Sequence, residues 1–206
     1  MKTKDEYSKL LYFLAKSRHF NLEVLEILEN ELLKHSMYLT KYEVYQKVIN
    51  FWSFSILRHH NYSMKYVENF NEFIKLIDND KINISKDHLP LILLSYSHIN
   101  ENLDLEVMKL IIQKCMDSIN KFNYHNLTVI VQSLARMNIR NEAAFTAVAN
   151  RIISDIESEN DIEIKAKEAA QIFSSFVKVE FYDLRLMRAL EDLFVLNIKN
   201  STSLTV

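Results

Sequence analysis

NLTVIVQSLARMNIRNEAAFTAVANRI (126–152) reads as two amphipathic helices joined by a short turn. Val131, Leu134 and Met137 recur at helical spacing and form one buried stripe, with the small Ala135 beside the anchor Leu134. Asn141 then supplies a side-chain oxygen suited to cap a second helix. Counted from that cap, Phe145, Val148 and Ile152 fall on a second apolar stripe. The unit is a helix hairpin, with a helix A and a helix B.

The same pattern recurs through the chain, with anchors Leu14, Phe54, Tyr96, Leu134 and Phe176 about 40 residues apart. Three residues before each anchor stand Leu11, Phe51, Leu93, Val131 and Phe173, and directly after it Ala15, Ser55, Ser97, Ala135 and Val177. Asn21, Ser63, Asp104, Asn141 and Asp183 are the matching caps, and the three helix B stripe positions that follow are apolar in every repeat. The expected fold is therefore all-α, an α-α solenoid or superhelix of about five helix-hairpin repeats, at a period near that of HEAT and armadillo arrays. The repeats divide at approximately 5–40, 41–83, 84–122, 123–162 and 163–198, making one array over 1–198 with a flexible tail at 199–206. DNDKINIS (78–85) and SENDIE (158–163) read as turns between repeats. The last repeat carries Phe181, Leu186, Leu193 and Phe194, although a terminal repeat needs a polar outer face. Either the chain covers these residues itself or something else does.

Composition narrows the chemistry. The 206 residues contain no glycine and a single proline, Pro90. Phosphate-cradling loops, dinucleotide-binding turns and nucleophile elbows need glycine where backbone approaches a ligand or turns left-handed. Cys115 is the one cysteine, so neither an intrachain disulfide nor a thiolate cage is available. It occupies a helix B stripe position and reads as a buried thiol. No apolar run reaches membrane-spanning length, so no membrane insertion is expected. MKTKDEYSKLLYFLAK (1–16) lacks the pattern of a signal or transit peptide. Among the histidines, His59 and His60 point apart on a helix, and His98 with Glu101 lacks a third ligand. Glu26, Glu29 and Glu31 read as a solvated helix face. The expectation is a protein without catalytic residues, metal or cofactor.

The residue two places after each anchor carries the functional signal: Lys16, Ile56, His98, Arg136 and Lys178. The position lies about 200° round the helix from the buried anchor. Four of the five can bear positive charge, and repetition in one register would set them in a line suited to a phosphate backbone. Arg140, Arg58 and Arg18 stand near enough to widen it. The simpler explanation is that basic residues favour helix C-termini, where they complement the dipole. A net charge of −2 argues against a general nucleic-acid binder while leaving room for a local stripe. Tyr12, Trp52 and Tyr182 fall outside the core stripes and are candidates for stacking on bases.

Residues 126–152, with AAQIFSSFVKVEFYDLRLMRALEDLF (169–194) as the next copy in register, resemble the heptatricopeptide-type, octotricopeptide-like helical repeats of RAP-associated organellar RNA-binding proteins. Such arrays are numerous in apicomplexan parasites, and the abundance of Lys, Asn and Ile suits an AT-rich genome. The resemblance covers roughly 86–198 and is weaker before it. It implies a mitochondrial matrix protein acting in RNA processing or stability, or contacting ribosomal RNA within the mitochondrial ribosome. Its partners would be single-stranded or ribosomal RNA and proteins of a larger assembly, with Lys16, His98, Arg136, Lys178 and Arg140 touching phosphates. No RAP domain is present in the sequence. The alternative is a protein-docking scaffold, a peripheral subunit of a large mitochondrial complex that does not itself recognise RNA.

Overall fold

The computed structural model describes residues 4–34, 41–57, 65–76, 84–99, 103–158 and 164–203. They form ten α-helices and no strand. The helices A are α1 (Lys4–Ser17), α3 (Lys41–Leu57), α5 (Leu89–Ile99), α7 (Tyr124–Arg136) and α9 (Ala166–Lys178). The helices B are α2 (Leu22–Leu33), α4 (Lys65–Lys75), α6 (Leu105–Asp117), α8 (Glu142–Glu157) and α10 (Leu184–Ser203). Short 3-10 turns at Lys86–His88 and Ile119–Lys121 precede α5 and α7. The ten helices expected from the five repeats are all present in the expected order. Helix α10 runs on to Ser203, into the stretch expected as a tail.

The chain divides into two compact units, Met1–Ile111 and Ile112–Val206. In the first, α1 packs on α3 and α3 on α5, while α2 packs on α4. In the second, α7 packs on α9 and α8 on α10, with each hairpin closed on itself. Within each unit, neighbouring helices A pack on one another, and the helix B pairs α2–α4 and α8–α10 do the same.

The stripes explain the packing. All five anchors are buried, from Leu14 at 8% exposed to Phe176 at 0%. Phe51 and Phe70 stack with ring centroids 4.0 Å apart, and Tyr96 meets Phe51 edge-on at 4.8 Å. In the second unit Phe145, Phe176 and Phe181 form a similar aromatic cluster. Each fully buried ring contributes about 1.5–3 kcal/mol of apolar transfer. Phe181 and the fully buried Leu186 are thereby covered within the chain, whereas Phe194 stays 40% exposed.

Four of the five expected caps bond as the sequence implies. Asn21 accepts from Val24 N, Asn141 from Ala144 N, Asp104 from Glu106 and Val107 N, and Asp183 from Arg185 and Leu186 N. The fifth, Ser63, lies outside the described residues, as do 78–83 and 159–163 of the expected turns.

Three A-to-B turns share one solution to the absence of glycine. Arg18, Asn138 and Glu180, each four residues after its anchor, adopt left-handed backbone with φ of 50°, 55° and 56°. The next residue's N–H bonds back to the anchor carbonyl, as His19 to Leu14 at 3.0 Å, Ile139 to Leu134 at 2.9 Å and Phe181 to Phe176 at 3.1 Å. This is the usual left-handed close of a helix, made here without the residue that tolerates it best.

Candidate nucleic-acid interface

The left-handed turn ends helix A sharply, which leaves the residue two places after the anchor on the final turn, away from the core. Lys16, Arg136 and Lys178 are all exposed there. None of the three forms an ion pair among the described residues. Arg136 and Lys178 end α7 and α9, the two neighbouring helices A of the second unit. Lys16 ends α1 in the first unit.

The remaining candidates differ. His98 is half-buried rather than outward, because the final turn of α5 is more enclosed than that of α1, α7 or α9. It does not present a free surface cation, and Ile56 is likewise half-buried. Arg140 is exposed but sits 3.3 Å from Glu142, a surface pair worth about 0–1 kcal/mol and readily exchanged for another anion. Arg18 is exposed, and Arg58 lies outside the described residues.

Lys16 has company that periodicity alone did not reveal. Its ammonium lies 5.5 Å from the Tyr12 ring centroid and 5.3 Å from that of Trp52. The two rings are 5.8 Å apart and tilted by 42°. Tyr12 and Trp52 both stand two residues before their anchors, so pairing α1 with α3 brings them together. Tyr12 is 39% exposed. A cation over two rings, one exposed and one half-buried, combines a phosphate contact with a surface on which a base can stack. The sequence signal was the shared place before the anchor. Tyr182 is 66% exposed, with its ring open to solvent.

Other polar groups serve the packing. Glu29 departs from the solvated face expected of it: it is 2% exposed, and its carboxylate accepts from Tyr66 N in the first turn of α4 at 2.9 Å. Glu26 is exposed as expected, and Glu31 pairs with Lys34. Asp155 accepts from the Tyr124 hydroxyl at 2.9 Å and from Arg151 Nε at 2.8 Å, tying α7 to α8. Burial, reinforced by Asp155, pushes the Tyr124 phenol up to about 12. Burial likewise pushes the Cys115 thiol up to about 12, so it is not a thiolate at neutral pH. Among the described residues no three His, Cys, Asp or Glu side chains group as metal ligands. No described helix is long and apolar enough to cross a membrane. His59, His60 and Glu101 lie outside the described residues.

No protein-family model matches this sequence, and no curated protein matches it significantly.

Proposed function

We propose that this chain is a non-catalytic helical-repeat RNA-binding protein that holds single-stranded or ribosomal RNA at the C-terminal ends of the helices A within each of its two units. One observation carries the reading: Lys16, Arg136 and Lys178 are exposed, without an ion pair among the described residues, and in one repeat register. The Tyr12–Trp52 pair beneath Lys16 supports it by adding a stacking surface. The resemblance to organellar repeat proteins extends the proposal to the mitochondrion, in RNA processing or stability or at ribosomal RNA. Protein docking is the second reading, favoured by the exposed apolar face of α9 and α10.

The test is fluorescence anisotropy on a labelled single-stranded RNA pool across a salt series, with a Lys16→Ala, Arg136→Ala, Lys178→Ala triple variant alongside. Each phosphate contact on a single strand contributes about 0.7 to the log–log salt slope, so the variant's slope should fall by about 2. An unchanged slope, or no binding by folded protein at low salt, overturns the proposal.

A further inference from the structure

The repeats define a forward stripe on each helix A, the positions that face the following helix A. On α1 the stripe includes Ser8, Leu11 and Ala15, and Ser8 Oγ accepts from Asn50 of α3 at 3.0 Å. On α3, which packs on α5, the matching residues are Val48, Phe51 and Ser55, and on α7, which packs on α9, they are Thr128, Val131 and Ala135. All nine are buried, with none above 6% exposed. On α9 the same stripe is Ala170, Phe173 and Val177. Ala170 is exposed, Phe173 is 42% exposed and Val177 40%. Phe194 of α10 repeats the contrast: it is 40% exposed, while its counterparts Leu32, Ile74, Cys115 and Ile152 are at most 5% exposed. Ala170, Phe173 and Phe194 line one groove of about 510 Å³, with Arg188 and Glu191 among its other residues. The last hairpin therefore carries the side chains of an interior repeat on a face that no described residue covers.

The opposite face of helix A says what such a groove accepts. The residue just before the anchor is Ser53, Ser95, Ser133 and Ser175 on α3, α5, α7 and α9, each buried to 4% or less. An apolar residue stands four places after each serine: Leu57, Ile99, Met137 and Val179. A serine keeps the buried volume at this place small, and Ser53, Ser95 and Ser175 return their hydroxyls to backbone carbonyls of their own helices. On α1 that place holds Phe13, 66% exposed, so the first helix of a second copy presents a bulky ring where the stacking mode uses serine.

Glu191 gives a second, independent indication. It stands eight residues after the cap Asp183, as Glu29 does after Asn21. Glu29 holds the first turn of the following helix B, whereas Glu191 is exposed at the groove.

We infer that the α9–α10 groove is a docking site for a helix hairpin of the same repeat register, presented by a partner protein. The partner's first helix carries Ser or Ala at the point of closest approach with an apolar residue four places on, and the N-terminus of its second helix is capped by Glu191. The inference gives chemistry to the docking reading and is independent of RNA binding, since Phe173, Val177 and Glu191 are not among the proposed phosphate contacts.

The probe is this chain's own hairpin, residues 159–203, fused after Val206 of the full chain. Far-UV circular dichroism and urea unfolding are recorded for the fusion, and for the same fusion carrying Phe173→Asp and Val177→Asp. Both positions are solvent-accessible, and circular dichroism of the unfused double variant checks that it folds. The intact fusion should unfold in one transition whose denaturant slope exceeds the native chain's by about one-fifth, in proportion to the added surface. The Asp-bearing fusion should keep the native slope, with its appended segment unfolded. An appended hairpin that stays unfolded on the intact groove overturns the inference, as does one that folds equally on both chains. Sedimentation of the unfused chain covers the other occupant: a dimer dispersed by Phe173→Asp gives the groove to a second copy and overturns the partner hairpin.

Discussion

Replacing Glu29 with alanine removes a carboxylate that is 2% exposed and leaves Tyr66 N, itself on a buried residue, without its acceptor. Three terms set the magnitude. A hydrogen bond to a charged group contributes about 1.5–3 kcal/mol, and a negative charge at a helix N-terminus about 0.3–2 kcal/mol. Against these stands the desolvation of the carboxylate, which the alanine variant no longer bears. The expected net loss is about 2–3 kcal/mol by urea unfolding. Glu29→Gln keeps an acceptor oxygen and loses only the charge, so it should cost about half as much. Hydrogen exchange localises the effect, since Tyr66 N–H should exchange about 30- to 150-fold faster in the alanine variant if it opens with α4. A loss below about 0.5 kcal/mol, or equal losses in the two variants, refutes the charged cap.

Glu180→Gly should stabilise the chain by about 0.5–1 kcal/mol in urea, because relief of left-handed strain outweighs the added freedom of the unfolded chain. Asn138→Gly should gain less, since asparagine already tolerates that backbone. Lys47 is half-buried against the Phe73 ring at 5.1 Å, and burial, with Lys4 nearby, pulls its ammonium down from 10.5 to about 8. Between those values the unfolded chain holds a proton that the folded chain has released, so stability should rise with pH across that window. Lys47→Met should remove that slope and, discounted for the exposed part of the side chain, stabilise the protein by about 1–2 kcal/mol at pH 7. Ser175→Phe should cost about 2–3 kcal/mol or more by overpacking α7 against α9, whereas Ser175→Ala should stay within about 1 kcal/mol. Thermal and urea midpoints check both.

The hairpins were legible because their determinants are local and repeated. Leu134 and its counterparts sit on stripes with helical spacing, and Asn21, Asp104, Asn141 and Asp183 cap through their own first turns. The left-handed turns were not legible, because glycine usually marks them and Arg18, Asn138 and Glu180 take that backbone instead. Glu29 was misplaced because its partner, Tyr66 N, belongs to another hairpin, and only the packing of α2 on α4 brings them together. The serine before four of the five anchors stood in the sequence, yet its meaning emerges only when two helices A are seen to meet. Periodicity marked Phe173 as a stripe residue without showing whether anything covers it. The exposed cations followed from their phase relative to the anchors, whereas enclosure of the last turn of α5 makes His98 the exception.

The central claim is that RNA contacts the C-terminal ends of the helices A, and photo-crosslinking tests it most directly. RNA bearing 4-thiouridine is irradiated with the full chain, digested, and the modified residues are located by mass spectrometry. The account predicts crosslinks at Tyr12 or Trp52 and at the ends of α7 and α9 near Arg136 and Lys178, with competition by unlabelled RNA. Crosslinks confined to the helices B, or their absence under conditions where RNA is bound, would contradict it.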